Sequence, residues 1–236
     1  MPVASESAVP PAFQAYSLPH LTVLVLVPLI IAFLVRRARR HPGRVRRQNV
    51  ALAVCMLALY PIALLLGWRQ GWLTLENALP CHLCDVTAAC AAVALITGRQ
   101  RWAEIVWFWG IAGTLNGLLT PTAPDDFPAA TFFLFFALHG GVVISAFYVV
   151  LGLGLKPQPE AIWRAFGWAQ VYLAVASLVN FTMGTNYGYL RAKPPQASLL
   201  DVLGPWPWYV LALEGVALIL FSLLYLPFFR RRRPSS

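Results

Sequence analysis

Seven apolar runs divide the chain, at roughly 18–35, 50–67, 81–98, 102–120, 130–154, 161–183 and 207–228. Each is near the roughly 20 residues that an α-helix needs to cross a bilayer, the third being short. Breaks between runs carry Arg clusters or Pro, Gly and Asp: RRARRHPGRVRR, GWRQGW, GRQRW, TPTAPDDFP, KPQPE and RAKPP. Pro28 and Pro61 fall inside runs and suit bent membrane helices. No connection is long enough for a soluble domain, and no internal repeat is visible. The pattern predicts one all-α domain over residues 1–236, a polytopic seven-helix transmembrane bundle in the cell (plasma) membrane.

Composition agrees. Of 236 residues 59% are hydrophobic and only 11% charged, where a soluble domain carries about 25% charged residues. The net charge of +9 raises nucleic acid as a partner, but the arginines stand at the ends of apolar runs, which excludes that reading. If the 36–47 connection is cytoplasmic, 15 of the 18 Lys and Arg lie on that side, leaving Arg69, Arg191 and Lys193 on the other. This asymmetry, with an odd number of spans, predicts an N-terminus outside and a C-terminus inside. Glu6, Glu76, Asp125, Asp126 and Asp201 gather on the outer side. Trp68, Trp72, Trp102, Trp206, Trp208 and Tyr209 stand near span ends as interfacial anchors. The first seventeen residues lack Lys and Arg, so the first run reads as a retained helix instead of a cleaved signal.

With that topology, polar residues within spans collect in the outer half. The third run opens with Pro80-Cys81-His82-Leu83-Cys84-Asp85; Pro80 suits a first helical position, which predicts these residues in the opening turns of a helix. His139 falls nine residues into the fifth run, about 13 Å deep. Asn116 and Thr120 close the fourth run; Asn180, Thr185, Asn186 and Tyr187 close the sixth; Glu214 lies a turn or two inside the seventh. Ionisable groups at such depth usually face a bundle interior or a wet cavity, so a polar pocket opening toward the outer leaflet is expected. For Asn116, Thr120 and Thr185 alone, simple capping or back-bonding is the better account.

A thiol near a helix N-terminus is activated by the helix dipole and by a neighbouring imidazole. Cys81 or Cys84 is thus a candidate nucleophile, His139 a candidate base, and Asp85 or His82 a candidate orienting group. Cys55 and Cys90 read as ordinary apolar residues. Cys81-x-x-Cys84 also fits a membrane thiol–disulfide oxidoreductase, although neither Cys55 nor Cys90 is placed to form a second outer pair. A small-solute transporter coupling protons through Asp85, His139 and Glu214 is the other alternative, without visible inverted repeats. Arg191 and Lys193 stand in an otherwise acidic outer face and are candidates for a lipid phosphate or plain loop charges. No nucleotide or metal motif is present, His20 and His41 lie apart from the cluster, and no cofactor is expected.

Pro80-x-His82-x-Cys84-Asp85, then Asn186-Tyr187-x-Tyr189-Leu190 with Lys193-Pro194, and Leu200-Asp201 followed by Gly204-Pro205-Trp206-Pro207-Trp208-Tyr209, resemble the YwaF family of bacterial integral membrane proteins. That family is similar to an animal multi-span acyltransferase that moves acyl chains onto ether lysophospholipids. More distant kin are lipid-ester hydrolases with a Thr/His pair. The resemblance implies a thioester formed at a cysteine, with His139 as base, and then transfer to a lipid hydroxyl or to water. It matches both Cys81 and Cys84, so the choice between them stays open. The implied partners are membrane phospholipids or lysophospholipids. Asn116, Asn180, Asn186, Tyr187, Tyr189, Arg191, Lys193, Trp206 and Glu214 become the expected substrate-binding set around the pocket.

Overall fold

Apolar runs with no water to satisfy their backbones have one economical solution, the helix, and the computed structural model consists almost wholly of helices. It describes residues 12–194 and 198–229; Glu6, Pro195 and the Arg230–Arg233 cluster lie outside that range. The long elements are α1 (Leu18–Arg40), α2 (Val45–Gln70), α4 (Leu83–Thr97), α7 (Ala130–Leu151), α8 (Ala161–Met183) and α9 (Trp208–Phe229), with a short α3 (Leu75–Ala78) before α4. Among the described residues, six segments are long and apolar enough to cross a membrane: Leu18–Arg40, Pro42–Gln70, Leu75–Thr97, Ala130–Leu151, Ala161–Met183 and Trp208–Phe229. Leu18, Phe33, Phe181, Leu211 and Ile219 are among the large apolar side chains turned outward along these helices, as a lipid-facing surface requires.

The run at 102–120 departs from the expected plain span. It forms α5 (Gln100–Trp109), a π-helical turn at Gly110–Thr114, and α6 (Asn116–Leu119). Packing explains the break. A Cβ on Gly110 would lie 3.1 Å from Ala146 Cβ, and one on Gly113 would lie 2.8 Å from Leu83 Cδ2. The widened turn therefore seats two side-chain-free positions against α7 and α4. π turns of this kind concentrate at functional sites. The broken helix still covers about 30 Å at 1.5 Å per residue.

α5 is the axis of the bundle. Seven consecutive residues, Ala103 to Trp109, are buried, the mark of a helix surrounded on all sides. α4, α7 and α8 pack directly on it; α2 lies across α4 and α7, α1 covers α7, and α9 covers α8. Glu104, 1% exposed, sits at its start and receives Arg164 Nε (3.0 Å) and Nη2 (2.7 Å) from α8 and the backbone N–H of Gln158 (3.0 Å). That ion pair fixes α5 to the α7–α8 connection and to α8. The indole N–H groups of Trp107 and Trp109 donate to the carbonyls of Leu224 and Ala165, joining α5 to α9 and α8 without leaving a buried donor open.

The helix ends sort into two layers. Arg39 donates to the Leu151 carbonyl, and Gln100 donates to the Lys156 carbonyl, so the α1–α2, α4–α5 and α7–α8 connections share one end. This is the basic end. At the other, Gln14 donates to Asp126, Tyr16 to the Leu119 carbonyl, and the Asn186 N–H to Glu76. α4 and α8 each stop at a glycine in the left-handed region, Gly98 (φ 62°) and Gly184 (φ 71°), which a side chain would strain.

Candidate functional site

Most of the sequence-predicted site residues lie toward the end opposite the arginine clusters, and there they form two groups. One surrounds the start of α4 and the π turn; the other is a loop lattice after α8.

The start of α4 differs from expectation in register. Pro80 and Cys81 precede the helix instead of opening it: the Cys81 N–H turns back to the Leu79 carbonyl at 2.8 Å, and His82 is the N-cap. Only Leu83, Cys84 and Asp85 occupy the first turn. The Asp85 N–H donates to the His82 carbonyl at 3.0 Å, closing that turn. Cys81 and Cys84 are both free thiols and half-buried. Tyr172 from α8 donates to the Cys81 carbonyl at 3.1 Å, and Tyr60 from α2 donates to the Ala78 carbonyl at 2.7 Å. The two tyrosines brace the approach to α4 from either side. Neither stands out in the sequence, since a tyrosine inside an apolar run reads as an anchor. His82 is held by its contact with the Glu76 carbonyl at 3.1 Å and by an edge-on packing against Tyr187 with ring centroids 5.0 Å apart.

His139 comes from α7. A carbonyl only accepts, so its Nδ1 carries the proton and donates to the Phe135 carbonyl at 2.8 Å. The ring stacks on Phe135 with centroids 4.1 Å apart. In the neutral ring Nε2 is then the lone-pair nitrogen. The Cδ2 edge of the ring packs on Gly117 of α6, where an added Cβ would overlap Cδ2 and lie 2.6 Å from Nε2. Among the described residues neither cysteine sulfur is hydrogen-bonded to His139, nor is the Asp85 carboxylate. The two centres are joined through one element: Leu83, beside Cys84, packs on Gly113 of the π turn, and His139 packs on Gly117, four residues further. Thr114 lies between them in sequence. It is 3% exposed and its hydroxyl is without a hydrogen-bond partner. The sequence reading missed it, because only burial distinguishes an orphaned hydroxyl from an ordinary back-bonded one.

The second group turns out to be a scaffold. Asn180, completely buried, accepts the Tyr187 N–H at 2.7 Å and the Thr185 hydroxyl at 3.0 Å, and donates to the Tyr187 carbonyl at 2.9 Å. Tyr187 is also completely buried; its hydroxyl donates to the Leu75 carbonyl and accepts the Leu79 N–H. Burial holds that phenol's pKa above the ordinary value, so it stays a neutral donor. Asn186 accepts the N–H groups of Arg191 and Ala192 at 2.9 and 3.0 Å. Arg191 donates to the carbonyls of Asn180 and Thr185, both at 3.2 Å, closing the C-terminal end of α8 as a cation there should. Lys193 stands 5.7 Å over the Tyr209 ring, and the Tyr189 carbonyl accepts the Tyr209 hydroxyl. Trp206 donates to the Leu190 carbonyl at 3.0 Å while its ring stays exposed.

Several expected substrate-binding residues are therefore committed to the protein itself. Asn180, Asn186 and Tyr187 spend polar atoms on backbone groups and so act as ties within and beneath the loop. Asn116 is exposed and back-bonds the Ala112 carbonyl. Glu214 accepts Gln170 of α8, far from the outer loop lattice. Tyr189 keeps its hydroxyl near Thr122, at 3.5 Å. His20 stays apart from the cluster: its Nδ1 accepts the Tyr16 N–H at 2.9 Å and its Nε2 donates to the Leu118 carbonyl at 2.7 Å, so both ring nitrogens are used in tying α1 to α6. Among the described residues no three His, Cys, Asp or Glu side chains converge as they would around a metal.

Comparison with known proteins adds a family. The profile of the TMEM164 family matches residues 15–225, a range that includes both cysteines, His139 and the aromatic loop. An uncharacterized protein of Treponema pallidum (strain Nichols) is 24% identical over 225 residues, covering 95% of this chain and 92% of the relative. No solved structure matches.

Proposed function

We propose that this chain, which belongs to the TMEM164 family, is a membrane-embedded lipid acyltransferase or acyl hydrolase working through a cysteine thiol and His139. The observation that carries the reading is the state of His139: Nδ1 is occupied by the Phe135 carbonyl, while Nε2 is left as a lone pair beside a glycine that leaves it room. His20, by contrast, spends both ring nitrogens on backbone partners. The resemblance to the YwaF family, with its kinship to a lipid acyltransferase, points to the same chemistry.

In the proposed reaction the thiol sulfur attacks the ester carbonyl of a phospholipid. The C–S bond forms, the ester C–O bond breaks, and His139 Nε2 takes the thiol proton and returns it to the departing lysophospholipid oxygen. A second hydroxyl, from a lysophospholipid or water, then gives its proton to Nε2 and attacks the thioester, releasing the thiol. Cys84 is the favoured nucleophile: it sits in the first turn of α4, deeper in the bundle and so nearer the level of His139, whereas Cys81 lies before the helix. Movement of the π turn is what would bring thiol and imidazole into reach, since catalytic contacts are often long before substrate binds.

The test uses purified full-length protein in mixed micelles with a phospholipid donor and an isotopically labelled lysophospholipid acceptor. Labelled diacyl product, or free fatty acid from hydrolysis, should appear and fall at least a hundredfold in His139→Ala, within the range that a general base contributes. Unchanged turnover in His139→Ala would overturn the reading.

A further inference from the structure

At the basic end, far from His139, α4 stops at Gly98 and α5 begins at Gln100, a tight corner that brings Arg99 and Arg101 to the surface two residues apart. An open cleft of about 500 Å³ lies at this corner, lined by Arg99, Gln100, Arg101, Trp102 and Ile105, with Trp168 from α8. Its composition is layered. Both arginines are exposed, and among the described residues neither is in an ion pair. Beneath them are two indoles and the buried Ile105; Trp168 is 51% exposed although it belongs to a spanning helix.

The nearest acid does not oppose an anion here. Glu104 is paired with Arg164 at 2.7 Å and accepts Gln100 at 3.3 Å, and the exposed Glu160 meets the same guanidinium at 3.8 Å, so both carboxylates face Arg164. Gln100 also ties down the Lys156 carbonyl, which brings a third basic residue's backbone to the same rim. The α5 N-terminus carries no side-chain cap, which adds to the positive potential without defining the site.

Guanidiniums above and indoles below match a molecule whose head is a phosphate and whose body is hydrocarbon. We propose that this cleft binds an anionic phospholipid of the leaflet on the basic side. Arg99 and Arg101 hold its phosphate, and Trp102, Ile105 and Trp168 lie along the first part of an acyl chain. Basic pockets between spanning helices are suited to such headgroups, and tryptophan belongs at this depth. The site is independent of the acyl chemistry at the opposite end, and free phosphate, sharing the headgroup chemistry, would gain nothing from the indoles.

Native mass spectrometry of the full chain in detergent, titrated with phosphatidylglycerol or phosphatidylcholine, tests this. Phosphatidylglycerol should be retained in preference, and Arg99→Gln/Arg101→Gln should weaken it about thirtyfold, the loss expected for two near-surface charges. Arg37→Gln/Arg40→Gln removes the same charge from the same end and should leave the affinity within about threefold, at the level of additive scatter. Trp168→Leu should weaken the lipid without altering its preference for the anionic head. Equal retention of both lipids, or equal losses in the two double variants, would overturn the proposal. Displacement of the lipid by millimolar inorganic phosphate would also overturn it, in favour of a soluble-anion site.

Discussion

Two histidines at the same end of the bundle differ in how their ring nitrogens are bonded. His20 is completely buried with both nitrogens bonded to backbone. Its replacement by Ala leaves the buried Leu118 carbonyl open, at a cost of about 1–3 kcal/mol, and returns the part-exposed Tyr16 N–H to solvent. His20→Ala should lower the detergent-solubilised protein's melting temperature while leaving specific acyl turnover nearly unchanged. Gly117→Ala should do the reverse. Its methyl would overlap His139 Cδ2 and lie 2.6 Å from Nε2, so the ring must shift and strain its bond to the Phe135 carbonyl. Turnover should fall at least tenfold with little change in melting temperature. If Gly117→Ala is fully active, the space beside Nε2 has no part in the reaction. From the sequence, His139 was legible as a candidate because a lone histidine in an apolar run is costly, but nothing local distinguished it from His20 in bonding. That distinction is made by α6, which is distant in sequence from both.

At the scale of elements the central feature is α5, seven residues buried in succession with one carboxylate among them. Glu104 owes its tolerance to Arg164, and breaking one partner of a buried pair costs about 3–5 kcal/mol. Arg164→Gln should thus lower thermal stability strongly, because it strands Glu104 at 1% exposure, whereas Arg164 is a third exposed and also meets Glu160 at 3.8 Å; adding Glu104→Gln to Arg164→Gln should recover much of the loss. Additive losses would contradict the lock. Helix existence was legible throughout: the run at 161–183 became Ala161–Met183 and the run at 207–228 became Trp208–Phe229. Two local features were not. The π turn at Gly110–Thr114 is set by glycines meeting Ala146 and Leu83, a tertiary requirement invisible to periodicity. The start of α4 slipped from Pro80 to Leu83 because Cys81 spends its N–H on a tight turn. The loop after α8 was legible as a motif, while the bonds that its polar residues make to one another and to backbone were not. Composition cannot show which groups are already satisfied.

Across the whole molecule the basic residues of three connections converge on one end, which turns a sequence asymmetry into a spatial one. The resulting prediction is an N-terminus outside. In intact cells a membrane-impermeant maleimide should label Asp125→Cys and not Arg44→Cys; labelling of Arg44→Cys from outside would invert the topology. That orientation puts the thiols of the α4 start and His139 toward the outer leaflet, and the arginine–tryptophan cleft toward the inner one.

The claim that a thiol carries the acyl group is tested most directly by the mass of the protein itself. Full-length chain mixed with phospholipid, quenched in acid and measured intact should show a fraction increased by one acyl group, removed by neutral hydroxylamine as a thioester is. Peptide mapping should place that mass on Cys84, and it should be absent from Cys84→Ser and from His139→Ala. An adduct that persists in the variant lacking both Cys81 and Cys84, or turnover with no adduct and no loss in that variant, would contradict the account.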